Sequence, residues 1–195
     1  MMTYDTTPAP FRYIDSLEEK QHIVLFYDDP EYARLIEFRF IKNGLLSGER
    51  CIYATEDDSG PIILKFLNYG IPLEYFLSKK IRMIQIRNAC GKHDEIVEKS
   101  KKELQKIREG LVPPFRIVSR IVPDVSTADG ISAELELEKL VHHSFDDFCG
   151  SLMCPYDISG IEKTKRKQWL EELRLYHHIC IYAPKFGQGG VFCSY

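Results

Sequence analysis

At 195 residues, with 44% hydrophobic and 12% aromatic content, the chain has the material for one ordinary domain core. A formal net charge of -3 and a pI near 6.1 exclude the concentrated basic excess with which nucleic-acid-binding domains neutralise phosphates. No run approaches the roughly 18 apolar residues of a membrane span, and the first residues, MMTYDTTPAPFRYIDSLEEK, lack the basic and apolar parts of a secretory signal, so a cytoplasmic protein without membrane attachment is expected.

The Thr/Pro-rich residues 1–20 read as a loose lead-in and 21–195 as a single domain, since no repeat, low-complexity tract or linker divides it. The first strand is His22–Tyr27. Asp29-Pro30 then pairs a capping side chain with a proline that tolerates the first helical turn, predicting a helix over 30–43. Its inward stripe is Leu35, Ile36, Phe38, Phe40 and Ile41, with Glu31, Arg34, Glu37 and Lys42 facing water. Asn43-Gly44 ends it. Strands follow at Arg50–Thr55, 81–86, 115–121, 151–154 and 178–182, alternating with helical periods at 59–68, 93–109, 130–147 and 161–175. The basic run KTKRKQW, from Lys163, reads as the solvated face of the last helix. The closing GQGGVFCSY reads as a turn and a short edge strand, able to pair antiparallel. Near-continuous hydrophobicity in the strands, with helices between them, predicts an α/β fold with a mainly parallel sheet covered on both faces. The six cysteines form no C-x-x-C pair, and several lie in apolar runs as small buried hydrophobes, which suits a reducing compartment.

In an open parallel sheet the ligand site lies beyond the carboxyl ends of the strands. The residues leaving the strands here are polar and aromatic: Tyr27-Asp28-Asp29, Thr55-Glu56-Asp57-Asp58, Arg87-Asn88, Pro123-Asp124 and Pro155-Tyr156-Asp157. Tyr27, Asp28, Glu56, Tyr156 and Asp157 are therefore the candidate ligand-binding residues: the tyrosines would supply apolar walls with a hydroxyl, the carboxylates would orient a small polar group. The stretch HIVLFYDDPEYAR has the strand, loop and helix of a phosphate-binding P-loop, but its loop has no glycine and no lysine, and Pro30 brings no N–H. Asp28, Asp29 and Glu31 would repel a triphosphate, so ATP hydrolysis is not expected.

The segment HIVLFYDDPEYARLIEFRFIKNGLLSGERCIYATEDD resembles the opening of the MEDS domain, a sensory domain named from methanogens, methylotrophs and a dichloromethane-responsive regulator. SLMCPYD followed by LEELRLYHHICIYA resembles that family's second hallmark, a Cys-x-Tyr-Asp strand end, a helix and a His-initiated strand. The resemblance implies a RecA/KaiC-like, P-loop NTPase-like three-layer architecture without a functional Walker A. It further implies a non-catalytic role in prokaryotic signal transduction or transcriptional regulation, sensing simple hydrocarbon derivatives. The output would pass through a separate signalling or DNA-binding partner protein, without direct nucleic-acid contact. Domains of RecA type assemble through their edges, so a homo-oligomer or an interaction module is an alternative, as is a residual ATPase using Glu56 as base.

Carried over by position, the family motif selects His22 and Tyr27 in the first block and Cys154, Tyr156, Asp157 and His177 in the second, with Glu134 or Glu138 matching a helical acidic residue. His177 is preferred to His178, which occupies the place of a family proline. Both histidines are expected at the amino ends of their strands, roughly 15 to 20 Å from Tyr27 and Tyr156. Cys154 could be a buried thiol, a nucleophile or a soft metal ligand. A nucleophile needs a base in reach, and His177 is expected at the opposite edge of the sheet. Among His22, His93, His142, His143, Cys149, Cys154 and His177 no metal-ligand spacing is visible, so neither a metal nor another cofactor is expected.

Overall fold

Seven strands form one sheet in the computed structural model, which describes residues 7–18, 20–161 and 163–193. The strands are β1 (His22–Tyr27), β2 (Arg50–Thr55), β3 (Ile81–Gln85), β4 (Phe115–Ser119), β5 (Gly150–Asp157), β6 (Ile179–Ala183) and β7 (Gly190–Cys193). Their order is β3-β2-β4-β5-β1-β6-β7; the first six are parallel and β7 runs antiparallel to β6, as the closing turn and edge strand predicted. Helices α1 (Ala9–Asp15), α2 (Pro30–Leu46), α3 (Ser59–Asn68) and α4 (Glu74–Leu77) cover one face, and α5 (His93–Arg108), α6 (Ala128–His143) and α7 (Arg166–Leu175) the other. Successive side chains of a strand point to opposite faces. On β1, Ile23, Leu25 and Tyr27 accordingly join the α2 core, while Val24 and Phe26 join the core under α6 and α7. Every residue of β1 is buried, the cost of lying between two helical layers.

The differences from the predicted elements have local causes. Residues 9–15, expected to be loose, form α1 because Phe11 and Ile14 find apolar cover beside α2. The short α4 has too few residues to show a period. Thr127 accepts from Gly130 N at 3.0 Å and starts α6 two residues early, and a 3-10 turn at Phe145–Asp147 replaces its expected end. The last helix begins at Arg166, so only part of the basic run is helical.

Strand β5 continues through Pro155, where the sequence suggested an end. Leu152 N donates to Gln21 O beside β1, so the alternate backbone position of residue 155 faces β4. The β4 pairing has already stopped at Val118 opposite Met153, and the missing N–H of Pro155 interrupts no ladder. This extension carries Tyr156 and Asp157 to the same level as Phe26 and Tyr27 on β1. At the other end of β5, Gly150 meets Phe115 so closely that a Cβ would lie 2.3 Å from its carbonyl oxygen.

A crevice and a buried cluster on either side of Tyr156

Strands β1 and β2 lead into α2 and α3 on one face, whereas β4 and β5 lead into α6 and α7 on the other. The loops diverge at the carboxyl ends and leave a crevice of about 230 Å³. Of the five predicted ligand-binding residues, Tyr27, Glu56, Tyr156 and Asp157 line it, together with Thr55, Asp57, Asn88, Arg120, Val122, Val125 and Pro155. Asp28 is turned toward β6, where its carboxylate accepts from the Tyr182 hydroxyl at 3.2 Å.

The walls are tied across loops. Glu56 Oε1 accepts from Asn88 N at 2.8 Å, and Asn88 Oδ1 accepts from Val122 N at 3.0 Å, joining the loops after β2, β3 and β4. Asp157 accepts from Ser159 N at 2.8 Å and caps the turn that follows β5. Arg34 donates to Asp57 at 2.9 Å and to the Tyr53 hydroxyl at 3.1 Å.

Arg120 is the cation of the crevice. It donates to the Tyr27 hydroxyl at 3.1 Å and grips Glu37 through both carboxylate oxygens, one of which also accepts from Tyr53. Burial opposes the charge on Arg120, but Glu37 and the Tyr53 and Tyr27 hydroxyls outweigh it and hold the guanidinium firmly charged. The helical period predicts Glu37 in water, and no motif singles out Arg120. Glu37 is fully buried because α2 lies flat on the sheet with this residue over the end of β4. Charged residues inside the apolar runs IEFRF and IVSRIV were the available signal, since a buried charge needs a partner.

A second polar group lies within the core on the α6 face. His22 from β1, Glu138 from α6, Cys154 from β5 and His177 from the turn before β6 bring one donor atom each to within 4.8 Å of one another. His22 Nε2 is 3.3 Å from Glu138 Oε2 and 3.6 Å from Cys154 Sγ, and His177 Nε2 is 3.4 Å from Glu138 Oε2. All four side chains are buried. Tyr156 joins them to the crevice: its hydroxyl contacts both Glu138 Oε1 and Glu134 Oε1 while the residue borders the crevice. One hydroxyl proton cannot serve two carboxylates, so a second proton must sit between Tyr156 and Glu134. Burial, with Glu138 close by, pushes the Glu134 carboxyl well above the usual range, which puts that proton on Glu134. Burial also works against charge on Glu138, but the imidazolium that His177 becomes in acid, with the His22 ring and the Tyr156 hydroxyl, outweighs it and holds the carboxyl down at about 2. Burial, with His22 adjacent, lowers His177 to about 3.

Two expectations are thereby corrected. His177 does not lie at the opposite edge of the sheet from Cys154, because β6 and β5 flank β1 and Cys154 is a mid-strand residue level with Val24. Nor are the histidines isolated from Tyr156: Glu138, reaching down from α6, bridges the gap along the strand. No metal-ligand spacing was visible because the four donors come from four separate segments. Burial beside Glu138 and Glu134 raises the Cys154 thiol well above its ordinary value, which disfavours a free thiolate nucleophile.

A mostly parallel seven-stranded sheet between two helical layers, with a crevice at its carboxyl edge, defines a three-layer α/β protein. A solved structure from Pyrococcus horikoshii OT3, determined in a structural study, shares this fold with a TM-score of 0.58 at 8% identity, over 95% of this chain and 91% of that one. No curated protein matches the chain in sequence. The sequence model of the MEDS family, described as the MEthanogen/methylotroph, DcmR Sensory domain, matches residues 21–172, and the chain belongs to this family of sensory domains. Among the described residues no helix is long and apolar enough to cross a membrane.

Proposed function

We propose that the chain is a non-catalytic sensory domain that takes a small neutral or cationic organic molecule, such as a simple hydrocarbon derivative bearing a hydroxyl or amino group, into the carboxyl-edge crevice. The observation that carries this reading is the convergence of Tyr27, Glu56, Tyr156 and Asp157 on one crevice of about 230 Å³. Its size suits a ligand of few heavy atoms, below the usual range for drug-sized sites. Val122, Val125 and Pro155 offer apolar contact. Arg120 is already neutralised by Glu37 and Asp57 by Arg34, so the remaining charge of Glu56 and Asp157 favours hydrogen-bond donors and opposes anions.

The corner between β1 and α2 supports the same choice. In a phosphate-binding loop the helix N-terminus presents free N–H groups to the ligand. Here the Asp29 carboxylate accepts from Glu31 N at 3.0 Å and Tyr32 N at 3.2 Å, occupying that position with the chain's own anion. We read the corner as a RecA/KaiC-like shape whose nucleotide function is lost, with the signal passed to a separate cytoplasmic partner. Calorimetric titration of small alcohols, amines, halocarbons and ATP–Mg is the test. Binding of an alcohol, amine or halocarbon, weakened at least about tenfold by Glu56→Gln or Tyr27→Phe, is expected. Selective binding of ATP–Mg, lost on Arg34→Ala or Glu56→Gln, would overturn the reading in favour of an ATPase.

A further inference from the structure

The strongest signal outside the crevice is a mismatch of hydrogen-bonding roles inside the buried cluster. His177 Nδ1 lies 2.8 Å from the Leu173 carbonyl, which can only accept, so Nδ1 carries the proton and Nε2 a bare lone pair. That lone pair points at Glu138 Oε2, another acceptor, 3.4 Å away. Among the described residues neither atom has a partner in full hydrogen-bond geometry, His22 Nε2 standing 3.3 Å from the same Oε2, and both belong to buried side chains. Two facing acceptors in the core repel, and a cation between them reverses the sign of the interaction.

The surrounding donors have the spacing of a coordination shell. Bonds of about 2.0 to 2.3 Å to nitrogen, oxygen and sulfur place the corners of a tetrahedral site about 3.3 to 3.8 Å apart. The separations of 3.3, 3.4 and 3.6 Å fall in that range, and no pair of the four donor atoms is more than 4.8 Å apart. We propose that His22, Glu138, Cys154 and His177 bind one tetrahedral first-row divalent cation of the zinc class. A thiolate and a carboxylate together neutralise a divalent ion, so a filled site buries no net charge. Two imidazoles and a thiolate exclude magnesium and calcium, which take oxygen ligands.

His177 and Glu138 have the supports of metal ligands, while His22 Nδ1 has no hydrogen-bond partner among the described residues. The Leu173 carbonyl fixes the ring of His177, and the Tyr156 hydroxyl holds the second oxygen of Glu138. Four protein ligands leave no open position, so the ion would brace β1, β5, α6 and the start of β6 against one another, with no part in catalysis. This inference stands independently of the crevice ligand, although Tyr156 borders both.

Cobalt titration of the purified full chain, stripped with a chelator, tests it. One equivalent should bind and give the intense visible bands of tetrahedral cobalt with a thiolate charge-transfer band, and zinc should displace it. Cys154→Ser should abolish the charge-transfer band, and His177→Ala and Glu138→Gln should each weaken binding at least about tenfold. Cys149→Ser and His143→Ala, both in exposed positions, should behave as wild type. Circular dichroism identifies any variant that fails to fold, in which case the wild-type spectrum decides alone. Absence of stoichiometric binding, an octahedral spectrum without a thiolate band, or a band unchanged in folded Cys154→Ser would each overturn the proposal.

Discussion

Glu134 and Glu138 lie one turn apart on α6 and touch the same hydroxyl, yet their surroundings drive them to opposite protonation states. The consequence for stability follows from which state binds more protons. Glu138, at about 2 when folded against an ordinary 4.5, contributes stability that is present above 4.5 and lost as pH falls through 2. His177, at about 3 against 6.5, acts in the same direction, its contribution complete above 6.5 and lost on acidification through 3. Glu134 is raised, so its contribution is complete below 4.5 and declines as pH climbs toward its folded value. Between 4.5 and 6.5 the His177 and Glu134 slopes oppose each other; below that window both remaining groups favour unfolding, and above it Glu134 alone does. Urea midpoints of the chelator-treated protein, taken from about pH 3 to about pH 9, should form a plateau with a steep acid arm and a shallow alkaline one. Glu134→Gln should flatten the alkaline arm and leave the acid arm in place. An unchanged alkaline slope would show that Glu134 is not the group responsible. At this scale the family resemblance located His22, Cys154 and His177, but not the way they assemble. That depends on the reach of Glu138 across a helix–sheet gap, which sequence spacing does not encode.

Among the elements, α2 carries more than its apolar stripe. Phe38, Phe40 and Ile41 supply the packing that periodicity predicts, while Glu37 fastens the helix to β4 through Arg120. Arg116 adds a second tie one turn away, donating to Glu49 at 2.9 Å and to the Phe40 carbonyl at 3.3 Å. Replacing Glu37 by Ala removes the counter-charge of a largely buried guanidinium, and a broken buried pair costs about 3–5 kcal/mol. Denaturant unfolding of Glu37→Ala should report a loss of that order, and Glu37→Gln, which keeps the hydrogen-bonding shape, a smaller one. A loss below about 1 kcal/mol for Glu37→Ala would mean that Arg120 finds solvent when freed. Element type was legible in the inner strands because burial on both faces leaves no polar alternation to confuse them, and at the partly covered edges β3 and β7 because β-branched and aromatic residues follow a turn. The boundaries of β5 and α6 were less so: Pro155 suggests an end that the early termination of β4 makes unnecessary, and the Thr127 cap competes with the apolar period that suggested a later start.

For the whole molecule, the order β3-β2-β4-β5-β1-β6-β7 determines where rigidity and function can lie. Phe26 is level with Tyr156 and Tyr27 with Asp157, so the carboxyl ends of β1 and β5 carry two tyrosines one residue out of level, pointing to opposite faces of the sheet. Tyr27 belongs to the core on the α2 face and holds Arg120 there; Tyr156 belongs to the core on the α6 face and holds Glu138 and Glu134. The crevice therefore sits over the seam between two buried polar networks. Both are anchored in strands that resist opening, since β1 and β5, like β4, have strand neighbours on both sides and burial along nearly their full length. By contrast β3 and β7 are the sheet edges and are only partly covered. Amides that open only with global unfolding exchange slowest, whereas partly exposed edges exchange through cheaper local openings. Native-state hydrogen exchange followed by mass spectrometry should find peptides of β1, β4 and β5 most protected, β2 and β6 next, and β3 and β7 first to exchange. If β7 proved as protected as β1, its edge would be covered by another chain, and the gradient would then be set by assembly instead of by sheet position.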